Sequence, residues 1–404
     1  MVNAIYLTSR IYPMNNGGTL HDYGNCTFLS GLLRLTVFSC LDPSADRAAA
    51  QARFRDEPFA SEFCTRPDRA HSMEYVRARL RLIEPVDTDL YRRIEQLAER
   101  ERTGIVFFTL KMSLYAEKLK AAHPALHLIC ISHNSEYVNI RDDLKKYDTS
   151  RGTGRLRHFS KMLRARFFEA QEKKALSESD FVFSISENDS RRLSSHYGIP
   201  AARFVTCKPM IRFHSPRGDA DSRTYRHSLL IVGNMNWYPT AAGAVRFAKE
   251  IFPALLAEDP QLRLYIVGAN PAPEVQALAG GGADSPVIVT GFVQDVDEYY
   301  EKCDIAVVPV LTGTGAKIKV LEALGKHIPA VLTAYAAEDY PGSETCAHVA
   351  PAFADLLPQT LSLMREEAER IRTERAEEQY YREYMSDSAS VRACIRRITE
   401  AADE

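Results

Sequence analysis

The stretch PVLTGTGAKIKVLEALGKHIP, residues 309–329, decides the fold of the second half of the chain. It follows a short apolar run, 305–310, which predicts a buried parallel strand because it is rich in β-branched residues and bounded by turn residues. Gly313 and Gly315 allow the backbone to turn sharply from this strand into a helix. Backbone amides at the start of such a helix bind anions. The stretch therefore predicts a strand, a glycine turn and an anion-binding helix.

Two lysines and a glutamate in this helix indicate what the anion site holds. Lys317 and Lys319 bring positive charge to the first turn, where the helix dipole favours a phosphate but disfavours the lysines themselves. Glu322 lies in the apolar segment VLEAL, where a buried carboxylate needs a hydrogen-bond donor such as a sugar hydroxyl. The structural alternative is a surface pair between Lys319 and Glu322, worth about 0.2–0.5 kcal/mol, beside glycines that only form a turn.

The segment GTGAKIKVLEAL, residues 313–324, resembles the donor site of retaining glycosyltransferases of the GT-B fold, of the group 1 or family 4 type. Residues 291–310 and 229–271 are similar to the segments that precede this site in the same family. The resemblance implies an α/β protein with two Rossmann-like domains facing a central cleft and a C-terminal helix that crosses back to the first domain. It further implies that the second domain holds a nucleotide-sugar and that the first binds the acceptor.

The resemblance also assigns roles to individual residues. His133, in the segment HNSEY after the fourth predicted strand, would touch the donor sugar. Lys317 would stabilise the leaving diphosphate and Glu322 would hold the ribose, so that His133, Lys317 and Glu322 are the candidate catalytic residues. The other expected donor contacts are Gly17, Gly18, Gly233, Asn234, Asn236, Phe292, Val293, Gly313, Thr314, Gly315 and Lys319.

Three positions depart from the family pattern. Many relatives carry a second glutamate where this chain has Thr314, and many carry Arg and Lys where it reads GNMNWYP after the strand ending near Val232. The glycine turn and its lysines are therefore expected to bind the phosphates. The small-Gly-x-Pro turn of the family reads His327-Ile328-Pro329 here, which leaves the local turn geometry open.

Length and composition indicate two globular domains. The chain has 404 residues, 45% of them hydrophobic and 26% charged, with a net charge of −2 that argues against nucleic-acid binding. The eight cysteines show no metal-ligand spacing and are expected to be reduced thiols of a cytoplasmic protein. No signal peptide or spanning segment is predicted.

We expect an acceptor domain over 1–210, a donor domain over 211–375 and a returning helix over 376–404.

Short apolar runs alternate with amphipathic segments throughout the chain, which predicts parallel sheets covered by helices. Gly17 and Gly18 follow the first predicted strand, at the edge where open α/β sheets bind ligands, or else form a simple loop. Strands are predicted at 4–8, 35–39, 105–109, 126–132, 181–185 and 204–208, and then at 229–232, 262–267, 287–289, 305–308 and 330–333.

The segment 145–168 is basic and carries an apolar stripe at helical spacing. A helix of this kind lies on an anionic membrane, at the inner face of which a lipid-linked acceptor would be found. The alternative is a solvated helix packed on its own domain.

The predicted activity is transfer of a sugar from a UDP-, GDP- or dTDP-sugar to a glycan or lipid-linked acceptor, without a metal or another cofactor. A nucleotide-sugar epimerase and a non-catalytic partner subunit remain as alternatives. An inverting enzyme would need a base, for which His21 and Asp22 are the candidate pair. Two Asp-x-Asp sequences, at 87–89 and 295–297, look like helix caps and not like metal ligands.

Overall fold

The computed structural model describes residues 1–14, 16–41, 45–65, 78, 83–144, 152–217, 224–280 and 285–401. Contacts divide the chain into two compact units. Unit 1 consists of Met1–Ile211, Thr314–Ala316 and Ser388–Glu404, and unit 2 of Arg212–Gly313 and Lys317–Asp387.

Unit 1 is built on a seven-stranded parallel sheet with the strand order β3-β2-β1-β4-β5-β6-β7. Its central strands are mostly apolar and are buried along nearly their whole length because helices cover both faces. The strands are β1 Asn3–Thr8, β2 Arg34–Leu41, β3 Ala60–Thr65, β4 Ile105–Thr109, β5 His127–Ser132, β6 Phe181–Ser184 and β7 Phe204–Thr206.

The helices of unit 1 include one from the far end of the chain. Val391, Cys394, Ile395 and Ile398 of this last helix are buried in the same hydrophobic core as β1 and β2. The helices are α1 Gly17–Ser30, α2 Arg47–Arg53, α3 Thr88–Arg100, α4 Ser113–Ala122, α5 Glu136–Leu144, α6 Gly152–Glu178, α7 Glu187–Tyr197 and α16 Ala389–Ala401.

Unit 2 contains a six-stranded parallel sheet with the order β10-β9-β8-β11-β12-β13. Its strands are β8 Ser228–Val232, β9 Arg263–Val267, β10 Val287–Gly291, β11 Ile305–Val308, β12 Ala330–Thr333 and β13 His348–Ala350. Its helices are α8 Tyr238–Glu250, α9 Phe252–Glu258, α10 Pro273–Gln276, α11 Asp297–Lys302, α12 Ile318–Gly325, α13 Ala334–Ala337, α14 Leu356–Arg365 and α15 Glu367–Ser386.

The predicted α/β class, with two Rossmann-like parallel sheets, is confirmed. In each sheet the strand order reverses between two neighbours, β1 and β4 in unit 1 and β8 and β11 in unit 2. The crevice at the carboxyl ends of such a strand pair is where open α/β sheets bind ligands. A ligand site is therefore expected at the carboxyl ends of β1 and β4 in unit 1 and of β8 and β11 in unit 2.

Two local features differ from the sequence-based prediction, and a third defines a turn that the sequence left open. Strand β3 was not predicted, because its sequence ASEFCT is short and contains a charged residue. Gly17 and Gly18 do not form a loop but begin α1, which Asn16 caps by accepting a hydrogen bond from Thr19 N. His327 adopts a φ of 54°, so a residue with a side chain occupies the left-handed turn after α12.

The C-terminal segment 376–404 is not one helix. Helix α15 belongs to unit 2, where Glu377 Oε1 accepts a hydrogen bond from Ala330 N and Tyr381 OH accepts one from Phe213 N. After Thr314–Ala316, which are grouped with unit 1, the chain enters unit 1 again at Ser388, and α16 follows. These buried polar contacts are the reason that the return occurs later than residue 376.

Candidate functional site

The end of β8 carries a glycine that meets a lysine from α12. Gly233 has a φ of 154°, and a Cβ atom at this position would lie 2.9 Å from Thr240 Cγ2 and 3.4 Å from Lys319 Nζ. Only glycine fits this space. Lys319 Nζ donates a hydrogen bond of 2.6 Å to Thr240 Oγ1. The ammonium group of Lys319 is therefore held at the carboxyl end of β8, beside the point where the strand order of unit 2 reverses.

Within the described residues, Lys319 has no carboxylate partner. Among the residues that the structure describes, its ammonium group hydrogen-bonds only to Thr240 and no carboxylate lies within ion-pair distance. Burial lowers the pKa of Lys319 to about 8; the charge of Glu322 acts in the opposite direction, and that of Lys317 lowers the pKa further. A bound anion would supply the missing negative charge.

Lys317, the other expected phosphate ligand, has carboxylate partners of its own. Its ammonium group lies 2.7 Å from Glu338 Oε1 and 2.9 Å from Asp339 Oδ2, and over the ring of Tyr335. The residue is only 8% exposed. Because two acids already neutralise this charge, the ammonium group of Lys317 is less available to an anion than that of Lys319. Neither acid was singled out in the sequence.

The glycine turn before α12 is anchored by hydrogen bonds to its backbone. Tyr335 OH donates to Gly313 O, and Tyr340 OH donates to Lys317 O at 3.1 Å. Lys317 is the last residue before α12, so its side chain and its carbonyl both hold the start of this helix. These contacts fix the turn in one conformation.

Thr314 and Gly315 are grouped with unit 1. Thr314 Oγ1 donates a hydrogen bond of 2.9 Å to Asn139 Oδ1. A Cβ atom on Gly315 would lie 2.8 Å from His133 O, and its φ is 79°. Glycine is therefore required at this position for steric reasons in addition to its backbone conformation.

Glu322 lies on α12 in a group of titratable side chains. Burial raises the pKa of Glu322 to about 7, Asp297 also raises it, and Lys326, Lys319 and a hydrogen bond with the Tyr300 hydroxyl act in the opposite direction. Lys326 Nζ itself pairs with Asp297 Oδ1 at 2.6 Å. The carboxyl group therefore exchanges its proton near neutral pH. In its ionised form it accepts hydrogen bonds, as a ribose-binding residue must.

The other expected donor contacts of unit 2 lie in loops at the same edge of the sheet. Asn234 Oδ1 accepts a hydrogen bond from Asn236 N, so this side chain shapes the loop between β8 and α8. Phe292 follows β10 and is 72% exposed, with Val293 next to it. Trp237 in the first loop is 44% exposed, although the sequence analysis did not select it. These exposed aromatic rings lie on the loops after β8 and β10, two strands that β9 separates, and a ring of this kind is suited to stacking on a base.

In unit 1, His133 follows β5 and pairs with a buried acid. Its Nε2 lies 2.7 Å from Asp22 Oδ1 in α1. A Cβ atom on Gly18 would lie 3.7 Å from His133 Nδ1, so the start of α1 and His133 are neighbours. Asp22 was named only as a partner of His21. Its pairing with His133 is the contact that the sequence did not reveal.

Part of the chain matches a known protein family. Residues 226–363 match the family model of glycosyl transferases group 1. This segment contains Gly233, Lys319 and Glu322. No curated protein sequence is significantly similar to the chain.

Solved structures share the fold over nearly the whole chain. HepE from Anabaena, crystallised with UDP-glucose, has a TM-score of 0.62 at 11% identity, with 100% of both chains covered. Sucrose-phosphate synthase from Thermosynechococcus elongatus has a TM-score of 0.65 at 12% identity, covering 100% of this chain and 99% of that one. WaaG, a glycosyltransferase involved in lipopolysaccharide biosynthesis, has a TM-score of 0.59 at 15% identity, covering 94% and 95%.

These neighbours agree with the two Rossmann-like sheets and show the GT-B fold, and the family match covers residues 226–363 within unit 2.

Proposed function

We propose that this protein transfers a sugar from a nucleotide diphosphate donor to a glycan or lipid-linked acceptor, with retention of configuration and without a divalent metal ion. The observation that carries the proposal is the partly buried ammonium group of Lys319. It lies beside Gly233 at the strand-order reversal of unit 2 and has no carboxylate partner within the described part of the chain.

Charge development explains why this position suits a diphosphate. When the anomeric C–O bond breaks, negative charge grows on the leaving diphosphate. Lys319 and the backbone amides at the start of α12 would meet that charge. Lys317 would act indirectly by holding the turn, since its ammonium group is paired with Glu338 and Asp339. A metal ion is not needed for charge neutralisation in this scheme.

The remaining donor contacts follow from the positions of the side chains. Glu322 would accept hydrogen bonds from the ribose, and Trp237 or Phe292 would stack on the base. The complex of HepE with UDP-glucose supports a UDP-sugar as the first donor to test. Retention is inferred from the family resemblance, in which His133 contacts the donor sugar and no protein base is required.

A lipid-linked acceptor is supported by the surface of α6. Phe159, Leu163 and Phe167 are 58%, 43% and 42% exposed and are spaced four residues apart, so they form one apolar stripe. Lys161, Arg164 and Arg166 are neighbours on the same helix. None of the helices that the structure describes is long and apolar enough to span a membrane. We propose that α6 holds the protein at an anionic membrane surface.

The experiment that tests the proposal measures donor binding and donor consumption separately. Calorimetric titration with UDP, GDP and dTDP identifies the nucleotide, and the matching sugar donors are then incubated with and without membrane lipid extract. A transferase consumes the donor and gives a glycosylated product only with an acceptor. Conversion of the donor to a free altered sugar without acceptor would instead indicate an epimerase. No binding of any nucleotide diphosphate would contradict the proposal.

A further inference from the structure

A buried carboxylate in unit 1 controls the histidine that follows β5. Asp22 is 2% exposed, and its two oxygen atoms accept three hydrogen bonds. The donors are Tyr6 OH at 2.7 Å, Thr8 Oγ1 at 2.6 Å and His133 Nε2 at 2.7 Å. Burial alone would raise the pKa of Asp22, but the charge of His133 and the three donors lower it. Asp22 is therefore ionised and accepts hydrogen bonds only.

An ionised Asp22 fixes the proton on one nitrogen atom of His133. Since the carboxylate only accepts, His133 Nε2 must carry hydrogen and donate it. The other ring nitrogen, Nδ1, lies toward Gly18 at the start of α1. The His133 side chain is 24% exposed, whereas that of Asp22 is 2% exposed. The ring thus turns one nitrogen to the buried acid and leaves the other for a ligand.

Other charged groups near His133 act on its protonation. Burial lowers the pKa of His133, the charge and hydrogen bond of Asp22 raise it, Glu136 of α5 raises it, and Lys111 after β4 lowers it, with a net increase. His21 is the neighbour on α1, with its ring 5.1 Å from that of His133. Asp22 is the only one of these groups that hydrogen-bonds to the ring in the described residues.

We propose that Asp22 is a positioning residue for sugar transfer: it holds His133 in the Nε2-protonated form and turns Nδ1 toward the start of α1, where a sugar hydroxyl would bind. Tyr6 and Thr8 support this role by holding the carboxylate. The role in transfer rests on the proposed function, whereas the control of His133 by Asp22 does not.

Nitrogen NMR of histidine-labelled protein tests the control of His133 directly. The His133 signals are identified by their loss in His133→Gln. We expect Nε2 to carry the proton in the wild-type protein and the pKa of His133 to fall in Asp22→Asn, because the negative charge is lost. Glu136→Gln is the matched control: it removes a nearby carboxylate but no hydrogen bond, so the tautomer should be unchanged. A wild-type ring protonated on Nδ1 alone, or a His133 pKa unaffected in Asp22→Asn, would overturn the inference.

Tyr6→Phe provides a second variant if Asp22→Asn does not fold. It removes the donor that shares Asp22 Oδ1 with His133, while its ring still stacks on Phe107 at 6.2 Å. The carboxylate then becomes a stronger acceptor for His133, so the pKa of His133 should rise. The two substitutions are expected to have effects of opposite sign. A fall in Tyr6→Phe would contradict the inference.

Kinetics test the link to transfer. Asp22→Asn disturbs the tautomer of His133 and so misplaces its contact with the reacting sugar. The kcat of this variant should therefore fall by about 10- to 100-fold, while the KM for the donor changes little, because the lost contact stabilises mainly the transition state. If the NMR changes occur as expected but kcat is normal, Asp22 controls the protonation of His133 and has no role in sugar transfer.

Metal binding is the competing explanation for this cluster. His21, Asp22 and His133 each offer a ligand atom, and these atoms lie within 4.8 Å of one another. Elemental analysis of the purified protein decides between the two explanations. A stoichiometric metal that is absent from both Asp22→Asn and His133→Gln would overturn the positioning role.

Discussion

Lys319 Nζ donates a hydrogen bond to Thr240 Oγ1, and this contact places an ammonium group against the glycine that ends β8. Lys317, two residues earlier, instead pairs with Glu338 and Asp339. The two lysines of the KIK segment therefore have different partners, and substitution of each should have a different effect.

Lys319→Met should abolish the increase in melting temperature that a nucleotide diphosphate causes and should lower kcat by roughly 100-fold. A loss of about 3 kcal/mol of charge stabilisation in the transition state corresponds to that factor. The measurement is thermal unfolding with and without UDP, together with initial rates.

Lys317→Met is the matched control for this prediction. It leaves two acids beside a buried site without their cation, so the protein without nucleotide should melt at a lower temperature. If the nucleotide diphosphate still raises the melting temperature of Lys319→Met but no longer raises that of Lys317→Met, then Lys317 and not Lys319 binds the phosphate.

Donor affinity should depend on pH through Glu322. Its pKa of about 7 means that the carboxyl group is largely protonated below that value, when it accepts fewer hydrogen bonds. Loss of the carboxylate charge should reduce the advantage in affinity for UDP-glucose that the wild-type protein has over Glu322→Gln as the pH falls from 8 to 6. Protonation of Lys319, whose pKa is about 8, acts in the opposite direction, but it does so in both proteins. The intact nucleotide-sugar is the right probe because its diphosphate lacks the terminal phosphate ionisation of UDP. Glu322→Gln should mostly preserve kcat. An identical pH dependence of the affinity in the two proteins would argue against ribose binding by Glu322.

Transfer should continue in EDTA. The leaving diphosphate is expected to meet Lys319 and the start of α12, which supply positive charge without a cation. Rates are compared before and after dialysis against EDTA, and then with manganese or magnesium. Activity lost in EDTA and restored by manganese would disprove metal independence.

Helix α6 should bind vesicles that contain anionic lipid. One variant removes the apolar stripe by changing Phe159, Leu163 and Phe167 to serine. A second variant removes basic charge, worth about 1 kcal/mol of membrane binding per residue, by changing Arg155, Arg157, Lys161 and Arg164 to glutamine. Both variants should sediment less with anionic vesicles. The matched control is the glutamine variant of four exposed arginines elsewhere, Arg92, Arg100, Arg365 and Arg372. Equal sedimentation of all three variants would show that α6 is only a solvated helix.

Acid should destabilise the protein through His21. Burial and the charge of His133 lower its pKa to about 3, against the effect of Asp22, so the folded state favours the neutral ring. In the unfolded chain, His21 binds a proton with a pKa near 6.5. The contribution of His21 to the free energy of unfolding is therefore fully present above pH 6.5 and falls by about 1.4 kcal/mol per pH unit below it. His21→Gln should melt at temperatures that depend less on pH between 6.5 and 5. Identical pH profiles of the two proteins would contradict this expectation.

Local features of the fold and site were predictable because their causes are local. Glycines beside a β-branched strand predict a turn whatever the rest of the chain does, and Gly313 and Gly315 both have positive φ. The partners of charged side chains are set by the tertiary fold instead. Asp22 and His133 are separated by 111 residues, and Lys317 meets its acids only because α13 follows β12. Charge and spacing therefore drew attention to both lysines but did not reveal that they have different partners.

The position of α16 affects how the protein folds during synthesis. Unit 2 is in effect inserted into unit 1, since the chain leaves unit 1 after Ile211 and, apart from Thr314–Ala316, returns to it only at Ser388. Domains usually fold in order as they leave the ribosome. Here the core of the first unit still lacks Val391, Cys394, Ile395 and Ile398 when the second unit is complete. The unit made first is therefore the last to be finished, and until α16 arrives the apolar surface that this helix covers remains open to chaperones and proteases.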